Sequence, residues 1–133
     1  MKYLKFLVPF LAVMMYSCSN DSGSIIVNNS GGSNNHAPVA PNTPTPPDSV
    51  ENYSNIVSLS WHCSDPDAGD TLKYDIYFSN ANPPLTLMVS DYPLQTYEYG
   101  LVEHNLQLYW KVVAKDQHGS TTSGPVWKFK TAP

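Results

Sequence analysis

The chain has 133 residues, enough for one domain with appendages, and a formal net charge of −4 from 7 basic and 11 acidic residues. Every basic residue is a lysine, and the lysines are not clustered. That balance excludes a nucleic-acid-binding protein, which needs grouped cations at phosphates, and also excludes electrostatic docking to anionic lipid. The two cysteines, Cys18 and Cys63, sit in unrelated contexts and are not expected to pair.

The N-terminus comes first. Lys2 and Lys5 precede an apolar run from Phe6 to Tyr16, and the small Ser17 and then Cys18 follow. This is the layout of a secretory signal peptide over residues 1–17. The run is about half of the roughly 20 residues that a membrane-spanning helix needs, and Pro9 interrupts it. Met15-Tyr16-Ser17-Cys18 resembles the lipobox of bacterial lipoproteins. The resemblance implies that Cys18 becomes the lipidated first residue of the mature chain, carrying palmitate-type acyl groups that anchor it in a membrane. Ser19 at the following position then implies an outer-membrane address in the cell envelope, facing the periplasm or the surface. The rival reading is ordinary cleavage after Ser19.

Residues 18–40 read as a tether. Ser19 to Asn35 is rich in Ser, Asn and Gly, with only Ile25, Ile26 and Val27 apolar, too few to offset the entropy of ordering. From His36 to Pro47 the chain is proline-rich and stiffer. His36 is expected to be a solvated linker residue.

Residues 41–133 read as a β domain. One strand is expected within Pro41–Ser49. Val57 to Cys63 alternates, with Val57, Leu59, Trp61 and Cys63 on the core side; Leu72 to Phe78 repeats the pattern through Leu72, Tyr74, Ile76 and Phe78. Leu85–Val89 and Gln95–Tyr99 are shorter candidates. Leu106 to Lys115 is the longest, with Leu106, Leu108, Trp110, Val112 and Ala114 inward, and the Asp116–Gly119 turn ends it. Val126 to Thr131 closes the chain with Trp127 and Phe129 on one parity. No window carries helical periodicity with caps. About seven short strands with Pro and Gly punctuation predict an all-β, two-sheet antiparallel immunoglobulin-like sandwich.

Residues from Pro38 to Pro133 resemble a fibronectin type III domain. The matching features are the proline-rich start, Val57-x-Leu59-x-Trp61, Tyr74-x-Ile76, Trp110-x-Val112-x-Ala114, the Asp116–Gly119 turn and Gly124-Pro125-Val126. The family usually has a tyrosine six residues before the position of Ala114, whose hydroxyl bonds back to the preceding corner. Leu108 stands there instead. Either Leu108 fills the pocket without the hydrogen bond, or the corner is built differently. The resemblance implies adhesion, scaffolding or accessory binding, and the fold alone does not choose among them.

Three sets of residues are candidates for chemistry. Asp65, Asp67 and Asp70 put three carboxylates in one loop, a hard-oxygen set that suits calcium. It is not an EF-hand loop, because the twelfth position from Asp65 is Ile76 where a bidentate Glu is required. Asp, Pro and Gly at this spacing make a turn, which is the favoured reading, with weak calcium binding as the alternative and no metal favoured. His62, His104 and His118 are scattered, and no nucleophile motif or Cys/His metal spacing is present, so no enzyme is expected. Cys63 reads as a small buried hydrophobe rather than a reactive thiol. Tyr77 and Tyr109 share the outward parity on strands expected to be neighbours, with Lys111, Val113 and Lys128 around them. Tyrosine offers an apolar face with a polar tip, suited to stacking on a sugar ring or a partner loop. The competing reading is a cross-strand pair that only stabilises the sheet. The expected function is therefore a non-catalytic adhesion or binding module for a glycan or protein, and the alternative is a passive spacer without a ligand.

Overall fold

Nine-residue β7 (Gln107–Lys115) shows why the chain folds as it does: Leu108, Trp110, Val112 and Ala114 are buried, while each residue between them is half-exposed. Alternation with period two forces a sheet with one dry face, and a second sheet must cover it. The computed structural model describes residues 34–133. The expected signal peptide, Cys18 and the tether up to residue 33 lie outside the described residues.

Among the described residues there are nine strands and no helix. One sheet has the order β1 (Asn42–Thr45), β3 (Ile56–His62), β6 (Thr96–Leu101). The other runs β2 (Val50–Tyr53), β9 (Trp127–Thr131), β7, β4 (Lys73–Ser79), β5 (Leu87–Tyr92), with β8 (Thr121–Ser123) paired to β7. All pairings are antiparallel except β2 with β9. This is the expected all-β, two-sheet sandwich, with β5 joined to β4.

The strand expected in Pro41–Ser49 is divided between the sheets. Pro46 and Pro47 cannot donate to a ladder, so pairing with β3 stops at Thr45. A turn at Asp48 and Ser49 follows. The Ser49 amide donates to the Lys128 carbonyl at 2.7 Å, and the Asp48 carboxylate accepts the Lys128 amide at 3.0 Å. These bonds carry the chain onto the second sheet. At the other end, β8 and β9 form one strand interrupted at Gly124-Pro125. A Cβ on Gly124 would lie 3.1 Å from Pro41 Cβ and 3.2 Å from the Val112 carbonyl oxygen, so glycine lets the backbones approach closely there, and a side chain would have to push them apart by a few tenths of an ångström. The apolar segment expected at Leu85–Val89 is shifted to β5, an edge strand, and it leaves Leu85 and Leu87 exposed.

The core follows the expected parities. Trp61 stands on the three-stranded sheet and Trp110 on the other, with ring centroids 6.4 Å apart. Trp110 is tilted against Trp127 at 4.6 Å, and Trp61 meets Tyr74 edge-on at 5.2 Å. Tyr99 stacks on Phe78 at 4.3 Å. Cys63 is buried, and its thiol donates to the Val39 carbonyl at 3.0 Å.

The corner before β7 is built differently from the family pattern. Leu108 is buried and only fills space. The hydroxyl that closes the corner belongs to fully buried Thr131: it accepts the Leu106 amide at 2.8 Å and donates to the Glu103 carbonyl at 2.9 Å.

Residues 35–39, read from sequence as tether, bond onto the sandwich. The Asn35 side-chain amide donates to Asp116 at 2.7 Å, the His36 amide to Asp67 at 2.6 Å, and the Val39 amide to the Ser64 carbonyl at 2.9 Å. His36 is exposed but not an unattached linker residue, because Asp67 binds both its backbone and its ring.

Candidate functional site

The outward face of the larger sheet is set by the register of β4 against β7. Tyr77 is opposite Lys111, and Ser79 is opposite Tyr109. Tyr109 is therefore one diagonal step from Tyr77, within reach for long side chains on a sheet. On the next strand Tyr77 is opposite Leu87, and on the other side Tyr109 is opposite Lys128. The Lys111 ammonium sits 4.8 Å from the Tyr77 ring centroid, a cation–π contact. Lys128, Tyr109, Lys111, Tyr77 and Leu87 thus form a continuous strip across β9, β7, β4 and β5. Both tyrosines are half-buried within it. Sequence reasoning placed Tyr77, Tyr109 and Lys111 but missed Leu87. Its exposure comes from register shifts between β4 and β5, which periodicity cannot reveal.

Above the strip the face becomes polar. Lys115 binds Asp75 at 2.6 Å and Asp91 at 2.7 Å, and the Ser90 hydroxyl and Asp91 amide also donate to Asp75 at 2.6 and 3.0 Å. Burial pushes the Asp75 carboxyl upward, but the bonds from Lys115, Ser90 and Asp91 outweigh it and hold it below the usual range. Burial likewise lowers the Lys115 pKa, and the two carboxylates more than restore it, leaving it raised. Lys115, Lys73, Thr71, Asp91, Asp116 and Gln117 are among the residues that line a cleft of about 420 Å³. Lys73 stands directly opposite Lys115. Only the β4–β5 pairing brings Asp91 to Lys115.

The Asp65–Asp70 loop joins β3 to β4 and forms the expected turn. The Asp67 amide donates to Asp65 Oδ1 at 2.8 Å, the Asp70 amide to the Asp67 carbonyl at 3.2 Å, and Gly69 takes φ 95°. The His36 amide and ring lower the Asp67 pKa, and the same hydrogen bond raises that of His36. The β7–β8 hairpin leans on this loop. Gln117 Nε2 donates to Asp70 Oδ1 at 2.7 Å, and His118 Nε2 lies 3.5 Å from Asp70 Oδ2. Asp116 organises the hairpin itself, accepting the His118 and Ser120 amides at 2.9 and 2.8 Å.

The histidines are dispersed. His104 meets Asn55 beside the start of β3, His62 is exposed at the end of β3, and His118 is on the hairpin. Burial pushes the Cys63 thiol up to about 11, which leaves it without a nucleophilic fraction near neutrality.

No family model matches the chain, and no curated protein does. Among solved structures, the chain is similar to an α-L-rhamnosidase from Streptomyces avermitilis complexed with L-rhamnose, with TM-score 0.48 and 14% identity over 72% of this chain. The chain spans only 10% of that enzyme. It is also similar to the fibronectin type III domain of human fibronectin type III domain containing protein 3, with TM-score 0.47 and 21% identity over 77% of this chain and 94% of that domain. The sandwich is established by its own strand order and register, independently of these likenesses.

Proposed function

We propose that this is a lipid-anchored protein of the bacterial cell envelope whose single sandwich domain is a non-catalytic adhesion or binding module. The observation that carries this reading is the strip of Tyr109, Tyr77 and Leu87 flanked by Lys111 and Lys128 on an outward sheet face. Aromatic and aliphatic surface beside ammonium groups suits an uncharged or weakly anionic glycan, or a protein loop, held by stacking and hydrogen bonds. Asp75 does not repel such a ligand, because Lys115 neutralises it. The anchor rests on the lipobox-like Met15–Cys18 sequence and the polar stretch after it.

A glycan array and a pull-down from envelope extracts, both with the whole chain, test the reading. The double variant Tyr77→Ala, Tyr109→Ala should keep the wild-type fold by circular dichroism and lose the binding that either screen detects.

The spacer reading is favoured by one contact, the Lys111 ammonium already placed over the Tyr77 ring, which lets the strip satisfy itself. Failure of the wild type to bind in both screens would select the spacer, whereas retention of binding by the double variant would make the strip structural and place the ligand elsewhere on the domain.

A further inference from the structure

We infer that Asp65, Asp67 and Asp70 hold one calcium ion between the β3–β4 loop and the β7–β8 hairpin. The turn explains only part of these side chains. Asp65 uses Oδ1 to accept the Asp67 amide, while its Oδ2 is enclosed and has no hydrogen-bond partner. Asp70 uses Oδ1 to accept Gln117 Nε2, while its Oδ2 is likewise enclosed without a hydrogen bond. The Asp70 side chain is only 9% exposed, and His118 Nε2 at 3.5 Å is too far for a well-made bond. An enclosed carboxylate oxygen without a partner is strongly disfavoured, and each such atom calls for a bound ion or water.

Both of these carboxylates belong to one cluster. Asp65, Asp67 and Asp70 each bring an oxygen within 4.8 Å of the others. Calcium holds oxygen ligands at about 2.3–2.6 Å in a flexible shell that spans roughly 5 Å and takes several carboxylates, whereas magnesium demands near-ideal octahedral geometry at about 2.0–2.1 Å and usually keeps several of its waters. Asp67 already accepts the His36 amide and meets its ring at 2.9 Å, but each carboxylate oxygen has a second lone pair for a cation. Water reaches the loop through exposed Pro66, Ala68 and Gly69 and can complete the shell. Three protein carboxylates with water place the affinity in the weak range of extracellular modules, about 10⁻⁴–10⁻³ M. The ion would clamp three segments that are far apart in sequence: residue 36, the β3–β4 loop and the hairpin.

Calcium is titrated into the full chain after chelator treatment, with magnesium and with sodium chloride at matched ionic strength in parallel. Amide chemical shifts and the melting temperature are followed. Saturable shifts confined to His36 and residues 65–70 and 116–118 are expected for calcium. The melting temperature should rise by roughly 5–10 °C at ten times the dissociation constant. Asp70→Asn can still accept from Gln117 and should weaken calcium binding at least tenfold; if it does not fold, Asp65→Asn serves in its place. Absence of saturable shifts and of any melting change up to about 20 mM calcium overturns the inference, since that is far above the expected dissociation constant. An equal response to sodium chloride or magnesium also overturns it, because either would mean screening or an unselective charge effect.

Discussion

Thr131 and Leu106 are joined by a 2.8 Å hydrogen bond from the Leu106 amide to the Thr131 hydroxyl, which in turn donates to the Glu103 carbonyl. One buried side chain on the last strand thereby satisfies two backbone groups at the corner before β7. Thr131→Val keeps the shape and removes both bonds. It should cost about 1–3 kcal/mol, the penalty for buried polar groups left unpaired. Thr131→Ser should recover most of this in urea unfolding. A Val variant within about 0.5 kcal/mol of wild type would mean that the flanking backbone bonds hold the corner alone.

The aromatic core makes the second prediction. Trp110 is fully buried between Trp61 and Trp127. Trp110→Ala should cost about 3–5 kcal/mol through lost burial and an unfilled cavity. Against a typical stability of about 5–15 kcal/mol this leaves little margin, and the folded yield should fall sharply. A near-wild-type cooperative melt would contradict the observed packing.

Acid should destabilise the domain through Asp75 and Asp116. Both carboxyls lie below their ordinary range: burial of Asp75 is outweighed by Lys115, Ser90 and the Asp91 amide, and burial of Asp116 by Asn35 and the Ser120 and His118 amides. A carboxyl depressed on folding stabilises the folded state above its unfolded pKa of about 3.9, and loses that contribution as pH falls through the folded value. The melting temperature should therefore hold from neutrality to about pH 5 and drop below about pH 4. Asp75→Asn should melt lower at neutral pH and show a shallower acid slope. An unchanged slope would remove Asp75 from the account. Lys115 acts at the other extreme: its raised pKa means stability present below about pH 10.4 and lost as pH rises through the folded value.

Cys63 should be inert. Its thiol is buried, bonded to the Val39 carbonyl, and pushed up to about 11. In a Cys18→Ala chain at pH 8, an aromatic disulfide reagent should label the native protein far more slowly than the urea-unfolded one. Rapid native labelling would show that the segment around Val39 opens readily, since access as well as thiolate fraction controls the rate.

The anchor is tested at Cys18. Metabolic labelling with a palmitate analogue should mark the wild type, and Cys18→Ala should move the protein from the membrane fraction to the soluble one. Unlabelled protein that stays membrane-bound after the substitution would rule out lipidation.

Period-two alternation is a local property, which is why the inward faces of β3, β4, β7 and β9 could be read directly from residues such as Leu59, Ile76, Val112 and Phe129. The turn at Asp65–Asp70 was legible for the same reason, since Asp, Pro and Gly act on their own backbone. The tertiary structure alone decided what depends on partners distant in sequence. The prolines stop β1, but only the free edge beside β9 determines where Val50–Tyr53 goes. A register shift between β4 and β5 exposes Leu87 beside Tyr77 and brings Asp91 to Lys115. The corner passes from the family's tyrosine position to Thr131, which is 23 residues beyond Leu108 in the chain. The unpartnered oxygens of Asp65 and Asp70 become visible only when the hairpin closes over the loop. Side-chain pattern specifies which face is dry, whereas pairing, register and desolvation of a particular atom are set by the surfaces that come to lie against it.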